Sequence, residues 1–275
     1  METLVMDSLQ EKSGQSPETL SFDINQQSAL SRFVLGLADD ALVLSHRLSQ
    51  WCSNAPYLEE DIALSNVALD YIGRARMFYQ YAAELEGEGR TEDDFAYLRN
   101  EREYTNLLIH ELPKGDFAFT MVRQYFIDVF NYLYLTQLIH SKDERIAAVA
   151  AKSVKESRYH LKRSEPWITQ LAQGSDESRQ RILRALDELK DFTGELFEMP
   201  EWEKTLVEAD IAVERSSLQA EWDQQVQQLL SESSIEYSDS QLQIRGGRNG
   251  IHTEHLGHML CEMQYLQRSY PQMDW

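Results

Sequence analysis

From about residue 28 to the end of the chain, apolar side chains recur at the three- and four-residue spacing of one helix face, almost without interruption. The residues that break helices are scarce, with 12 Gly and 6 Pro among 275 positions. A chain with this period and so few breaks folds as long helices joined by short connections, which makes neighbouring helices antiparallel and the whole a bundle. No stretch alternates apolar and polar residues strongly enough to compete as a strand.

The period divides the chain. Leu30, Phe33, Val34, Leu37, Ala38, Ala41, Leu42 and Leu48 mark a first helix, stopped by Asn54-Ala55-Pro56. A second runs from about Leu64 to Leu85 and ends at Gly87-Glu88-Gly89. Thr91 with Asp94 has the form of a capping box, opening a helix through Phe95, Leu98, Tyr104, Leu107 and Leu108 to Pro113-Lys114-Gly115. An aromatic helix (Phe117, Tyr125, Phe126, Phe130) and a long one from Ile146 to Ile168 follow. Ser175 opens a helix continuing through Leu196 and Phe197, Pro200 fits the first turn of a short one, and Leu218 to Leu229 mark another. Residues 231–250 read as a polar loop, and 253–268 as the last helix. The polar residues 1–27 show no sustained period and read as a mobile tail, leaving 28–275 as a single helical domain.

Charge narrows the partners. Asp and Glu total 46 against 26 Lys and Arg, a formal net charge of -20, which repels nucleic acid and anionic membranes. Residues 1–27 lack a basic-then-apolar signal pattern, and no apolar run approaches the ~18 residues of a membrane span. Cys52 and Cys261 are far apart and suit reduced thiols. A cytoplasmic location is expected.

A bundle of long helices can hold two metals between a carboxylate on each of two helices and Glu-x-x-His on each of the other two. Glu156 and His160 come nearest but are four residues apart; the plainer reading is a buried histidine bonded to a polar neighbour. His252, His255 and His258 share one stripe if helical and, with Glu254 or Glu262, have the donor types of a transition-metal site; the plainer reading is that they join the last helix to the bundle. Arg245-Gly-Gly-Arg248-Asn-Gly250 reads either as a phosphate-holding loop or as a connector whose arginines pair with an acidic surface. The acidic run Glu59-Glu60-Asp61 complements a helix start, and the aromatic stripe reads as core.

The strings ALVLSHRLSQWCSNAPYLEEDIALSNVALDYIGRAR, RQYFIDVF, VKESRYHLKRSEPW and GGRNGIHTEHLGHMLCEMQYLQR resemble, in order, the C subunit of the phenylacetyl-CoA 1,2-epoxidase of bacterial phenylacetate degradation. The resemblance implies a ferritin-like bundle with extra C-terminal helices, acting as a non-catalytic structural subunit. Its implied partner is a homologous catalytic A subunit that carries the di-iron centre and binds the CoA thioester. A reductase drawing on NADPH is among the other subunits, and the reaction is O2-dependent epoxidation of the ring. Against the catalytic subunit's ligand pattern, this chain places Ala41, Tyr71 with Arg74, Asp128, and Ser157 with His160. Those residues hold too few carboxylates for two irons, so no metal and no cofactor is expected in this chain; Arg74 is expected to pair with Asp128 instead. Arg245 and Arg248 are then candidates for a CoA phosphate contact. The alternative is a stand-alone di-iron or iron-binding protein using Glu156, His160, Asp128 and the C-terminal histidines.

Overall fold

A computed structural model describes residues 28–238, 240–271 and 273. The tail expected over 1–27 lies outside them. Eleven α-helices and no strand occur among the described residues: α1 Ala29–Ser49, α2 Leu58–Glu86, α3 Glu92–Tyr97, α4 Leu108–Glu111, α5 Phe117–Leu138, α6 Glu144–Gln173, α7 Asp176–Leu189, α8 Glu201–Glu208, α9 Gln219–Glu232, α10 Glu254–Met263 and α11 Tyr265–Ser269. The architecture is an all-α, ferritin-like bundle with additional helices after it.

Short connections fold α1 back on α2 and α5 back on α6, and α2 packs on α6 to join the two pairs. The second layer, α7 and α9, lies against α5 and α6, while α4 and α8 lie against α1. One apolar cluster runs from Phe33 to Leu260. Trp222 of α9 is buried against Phe126 and Phe197, and its indole N–H donates to the Phe126 carbonyl at 2.9 Å. No helix among the described residues is long and apolar enough to cross a membrane.

Local chemistry sets the ends of these helices. Ser28, Asp116, Asp143 and Ser175 each accept a backbone N–H from the first turn that follows. Thr91 and Asp94 complete the capping box read in the sequence. Gly87 closes α2 at φ 71°, the left-handed conformation that a side chain disfavours.

The helix expected through Phe95 and Leu108 is broken instead. After α3 comes a single 3-10 turn, Glu101–Glu103, and then a buried extended stretch to α4. Carboxylates of other elements take over the backbone donors there. Asp39 accepts the N–H of Thr105, Asp40 that of Leu107, and Glu195 that of Leu108. Near the end, buried Gln264 interrupts the last helix because its side-chain amide donates to the carbonyls of Ala96 and Arg99. After α7 the chain continues as 3-10 turns through Phe197, and Pro200 caps α8 one residue before its first turn.

Candidate functional site

Four helices bring Ala41, Tyr71, Arg74, Asp128, Ser157 and His160 to the centre of the bundle, all of them buried. Asp128 is the buried carboxylate among them. Its Oδ1 accepts from Gln124 at 2.6 Å and from the Tyr71 hydroxyl at 3.4 Å, and its Oδ2 accepts from Ser164 at 2.7 Å. Burial raises its pKa, and the opposing pull of His160, Ser164 and Gln124 does not cancel the rise. The Tyr71 hydroxyl also accepts from Asn131 at 3.1 Å, and burial pushes its own pKa up.

Arg74 does not reach Asp128, contrary to the pairing expected from the sequence. Its guanidinium lies over the Tyr71 ring, 4.9 Å from the centroid, donates to Ser157 at 3.2 Å and sits 3.9 Å from Glu156. Gln124, Tyr71 and Ser164 already satisfy Asp128, so the arginine turns to the neighbouring helix. His160 meets Asp70 through Nε2 at 3.0 Å, at the edge of the centre, as a buried histidine with a polar partner.

A pair of iron cations needs several anionic ligands in one place. Here Ala41, Tyr71 and Ser157 offer no carboxylate, and the Arg74 guanidinium adds positive charge beside them. Among the described residues, no three His, Cys, Asp or Glu side chains are grouped to hold a metal ion. These residues do not fit a di-iron centre. Beside them is a cavity of about 30 Å³ lined by Ala41, Tyr71, Arg74, Tyr134, Arg215 and Arg248. It has room for water, whereas a cavity that takes up benzene is about 150 Å³.

The C-terminal candidates separate. His252 lies before α10, not on it, so the three-histidine stripe does not form. Its Nδ1 faces Glu111 Oε2 at 2.8 Å and its Nε2 faces the Tyr104 carbonyl at 2.8 Å. Both partners accept when Glu111 is ionised, an arrangement that favours the doubly protonated ring. Although burial works against the charge, Glu111 raises the His252 pKa. His258, Glu254 and Glu262 are not drawn together with it: Glu254 and Glu262 are exposed, and His255 and His258 are on α10.

Arg245 and Arg248, expected to act on one anion, have separate roles. Arg245 is more than half exposed and pairs with Glu198 at 2.6 Å. Arg248 is buried and directed inward. It donates to the carbonyls of Gly36 at 3.0 Å and Thr105 at 2.6 Å and to Asp40 at 2.5 Å, so its guanidinium binds protein rather than an outside phosphate. Gly247 makes this possible, since a Cβ there would collide with the Asn106 carbonyl.

The model of the phenylacetic acid catabolic protein family matches residues 14–275. The C subunit of the 1,2-phenylacetyl-CoA epoxidase of Escherichia coli K12 is 47% identical over 246 residues, covering 90% of this chain and 99% of that protein. The chain belongs to the phenylacetic acid catabolic protein family. Membership extends over both the bundle centre and the C-terminal segment that Arg248 anchors.

Sequence reasoning missed the acids that hold this family member together beneath that segment. Asp39 is fully buried and accepts from the Tyr79 hydroxyl at 2.6 Å and from Arg99. Asp40 faces Arg248 and, at 3.2 Å, His110. Glu195 accepts the backbone N–H groups of Gly246 at 3.0 Å and Gly247 at 2.8 Å, and Glu203 takes Arg215 at 2.6 Å. A signal was present, in that RFVLGLADDALVL sets two acids inside an apolar run.

Proposed function

We propose that this chain is a non-catalytic structural subunit of a multicomponent di-iron monooxygenase that epoxidises the ring of phenylacetyl-CoA. In this reading it pairs with a homologous catalytic A subunit that holds the irons and the CoA thioester, and other subunits, a reductase among them, deliver electrons from NADPH. The complex works in the cytoplasm, and residues 28–275 act as one domain. The observation that carries the reading is the bundle centre, where the buried Asp128 carboxylate is held by neutral donors and the Arg74 guanidinium lies nearby on Ser157. The 47% identity to the C subunit of an epoxidase supplies the reaction.

Two measurements test it. Metal analysis of the purified chain after dialysis is expected to find far less than one iron per chain. Two retained irons would replace this reading with a stand-alone di-iron protein. Co-expression with the catalytic subunit is expected to give a stable complex, and epoxidation of phenylacetyl-CoA is expected to need both. Full activity of the catalytic subunit and reductase without this chain would end the proposal.

A further inference from the structure

Helix α2 carries a second apolar face that the bundle does not use. Leu58, Ile62, Ser65, Leu69, Ile72 and Arg76 follow one another at steps of four, three, four, three and four residues. That alternation is the seven-residue repeat of a seam between two helices. Leu58 is 71% exposed, Ile62 54%, Leu69 65% and Ile72 40%. The seam is a ridge with a groove on each side. One groove is floored by Ala68 and edged by Ser45, Ser49 and Cys52 of the α1 side, and the other lies toward Ala96 of α3. Small residues at those edges let a partner backbone come close.

The charge beside the seam selects the occupant. Glu59, Asp61 and Asp70 flank it on α2, Asp70 already meeting His160, and Glu92 and Asp93 stand at the start of α3. Of the cations near it, Arg76 already pairs with Glu92 at 3.0 Å. A second copy of this chain would bring the same acids face to face, which like-charge repulsion opposes. Residues 1–27 hold Glu2, Asp7, Glu11, Glu18 and Asp23 against Lys12 and show no seven-residue seam, so they do not complement it.

We propose that the Leu58–Arg76 face of α2 seats a long helix of a partner chain that is apolar along one seam and rich in Lys and Arg beside it. Resting on the function proposed above, that partner is the catalytic subunit. The two helices pack near the shallow crossing angle of coiled coils, with Leu69 and Ile72 at the middle of the contact.

The test uses the full chain and the catalytic subunit, with association measured by sedimentation at rising salt. The Leu69→Lys/Ile72→Lys variant is expected to bind at least tenfold more weakly than wild type, while the isolated variant keeps the wild-type circular dichroism and unfolding midpoint. Wild-type binding is expected to weaken as salt screens the acidic flanks. A Tyr265→Ser/Tyr270→Ser variant, altered in the exposed apolar patch near the C-terminus, is expected to bind as wild type does. Should the double lysine variant not fold, Leu69→Ala carries the test, with weaker binding expected. Unchanged binding by a folded seam variant would overturn this face and leave the proposed function standing. No binding by wild type would overturn both. A wild-type homodimer that the seam variant abolishes would replace the partner chain with a second copy.

Discussion

At the bundle centre a lone carboxylate, Asp128, is held by an amide and two hydroxyls, whereas beneath the C-terminal segment Asp39 and Asp40 face guanidinium cations and Glu111 faces His252. Both regions are buried, and their chemistry diverges. The neutral donors, with His160 and Arg163 farther off, offset the penalty of burial only in part, so the Asp128 pKa rises. Burial alone would raise Asp40 as well, but Arg248 and His110 outweigh it and hold its pKa well below the usual carboxylate range. The centre therefore tolerates its charge, while the C-terminal clamp depends on its charges for cohesion.

The largest test of that contrast is Arg99→Ala. It leaves Asp39 buried without its cation, and urea unfolding should show a loss of about 3–5 kcal/mol. Arg248→Ala strands Asp40 and frees the segment after residue 245, with about 3 kcal/mol expected by the same measurement. At the centre, Arg74→Ala removes a hydrogen bond to Ser157 and a ring contact but strands no fully buried acid, so a smaller loss, about 1–3 kcal/mol, is expected. A loss at Arg74 equal to that at Arg99 would erase the distinction between the regions.

Acid and base titration of stability sharpens it further. Asp128 has a raised native pKa, so its contribution is present below the unfolded value of about 3.9 and is lost as pH rises through the native value. Asp40 has a lowered one, so its contribution is present above about 3.9 and is lost as pH falls toward the native value. Asp128→Asn should thus remove a loss of stability on the alkaline side of pH 4, and Asp40→Asn a loss on the acid side. Both are read from unfolding midpoints between pH 3 and 7. The smallest effect belongs to Arg245→Ala, which is exposed and should stay within about 0.5 kcal/mol of wild type.

The two regions also differ in how much of them the sequence revealed. Helix existence was legible because apolar spacing reports it directly, and the Thr91 box, the Gly87 stop and the Ser175 start follow from local backbone chemistry. The membership of Tyr71, Arg74, Asp128, Ser157 and His160 in one centre was legible through resemblance to a known family. Their pairing was not, because whether Arg74 faces Asp128 or Ser157 depends on side-chain direction across a packed interface. The clamp was least legible. Arg248 meets Asp40 across 208 positions of chain, and no local rule connects them. The helix expected around Tyr104 failed for the same reason, since acids from α1 and from residue 195 supply what the helix would have supplied.

Arg248 and the carbonyl of His255, which accepts from Arg47 at 2.8 Å, both reach back to the first helix. A chain leaving the ribosome N-terminus first has all of α1 to α9 translated before Asp40 gains this cation. Until then α1 carries acids inside an apolar face, and its docking is incomplete. The final fastening of α1 therefore waits until residue 248 has been made, and a chaperone would meet the chain with its earliest helix still loosely held.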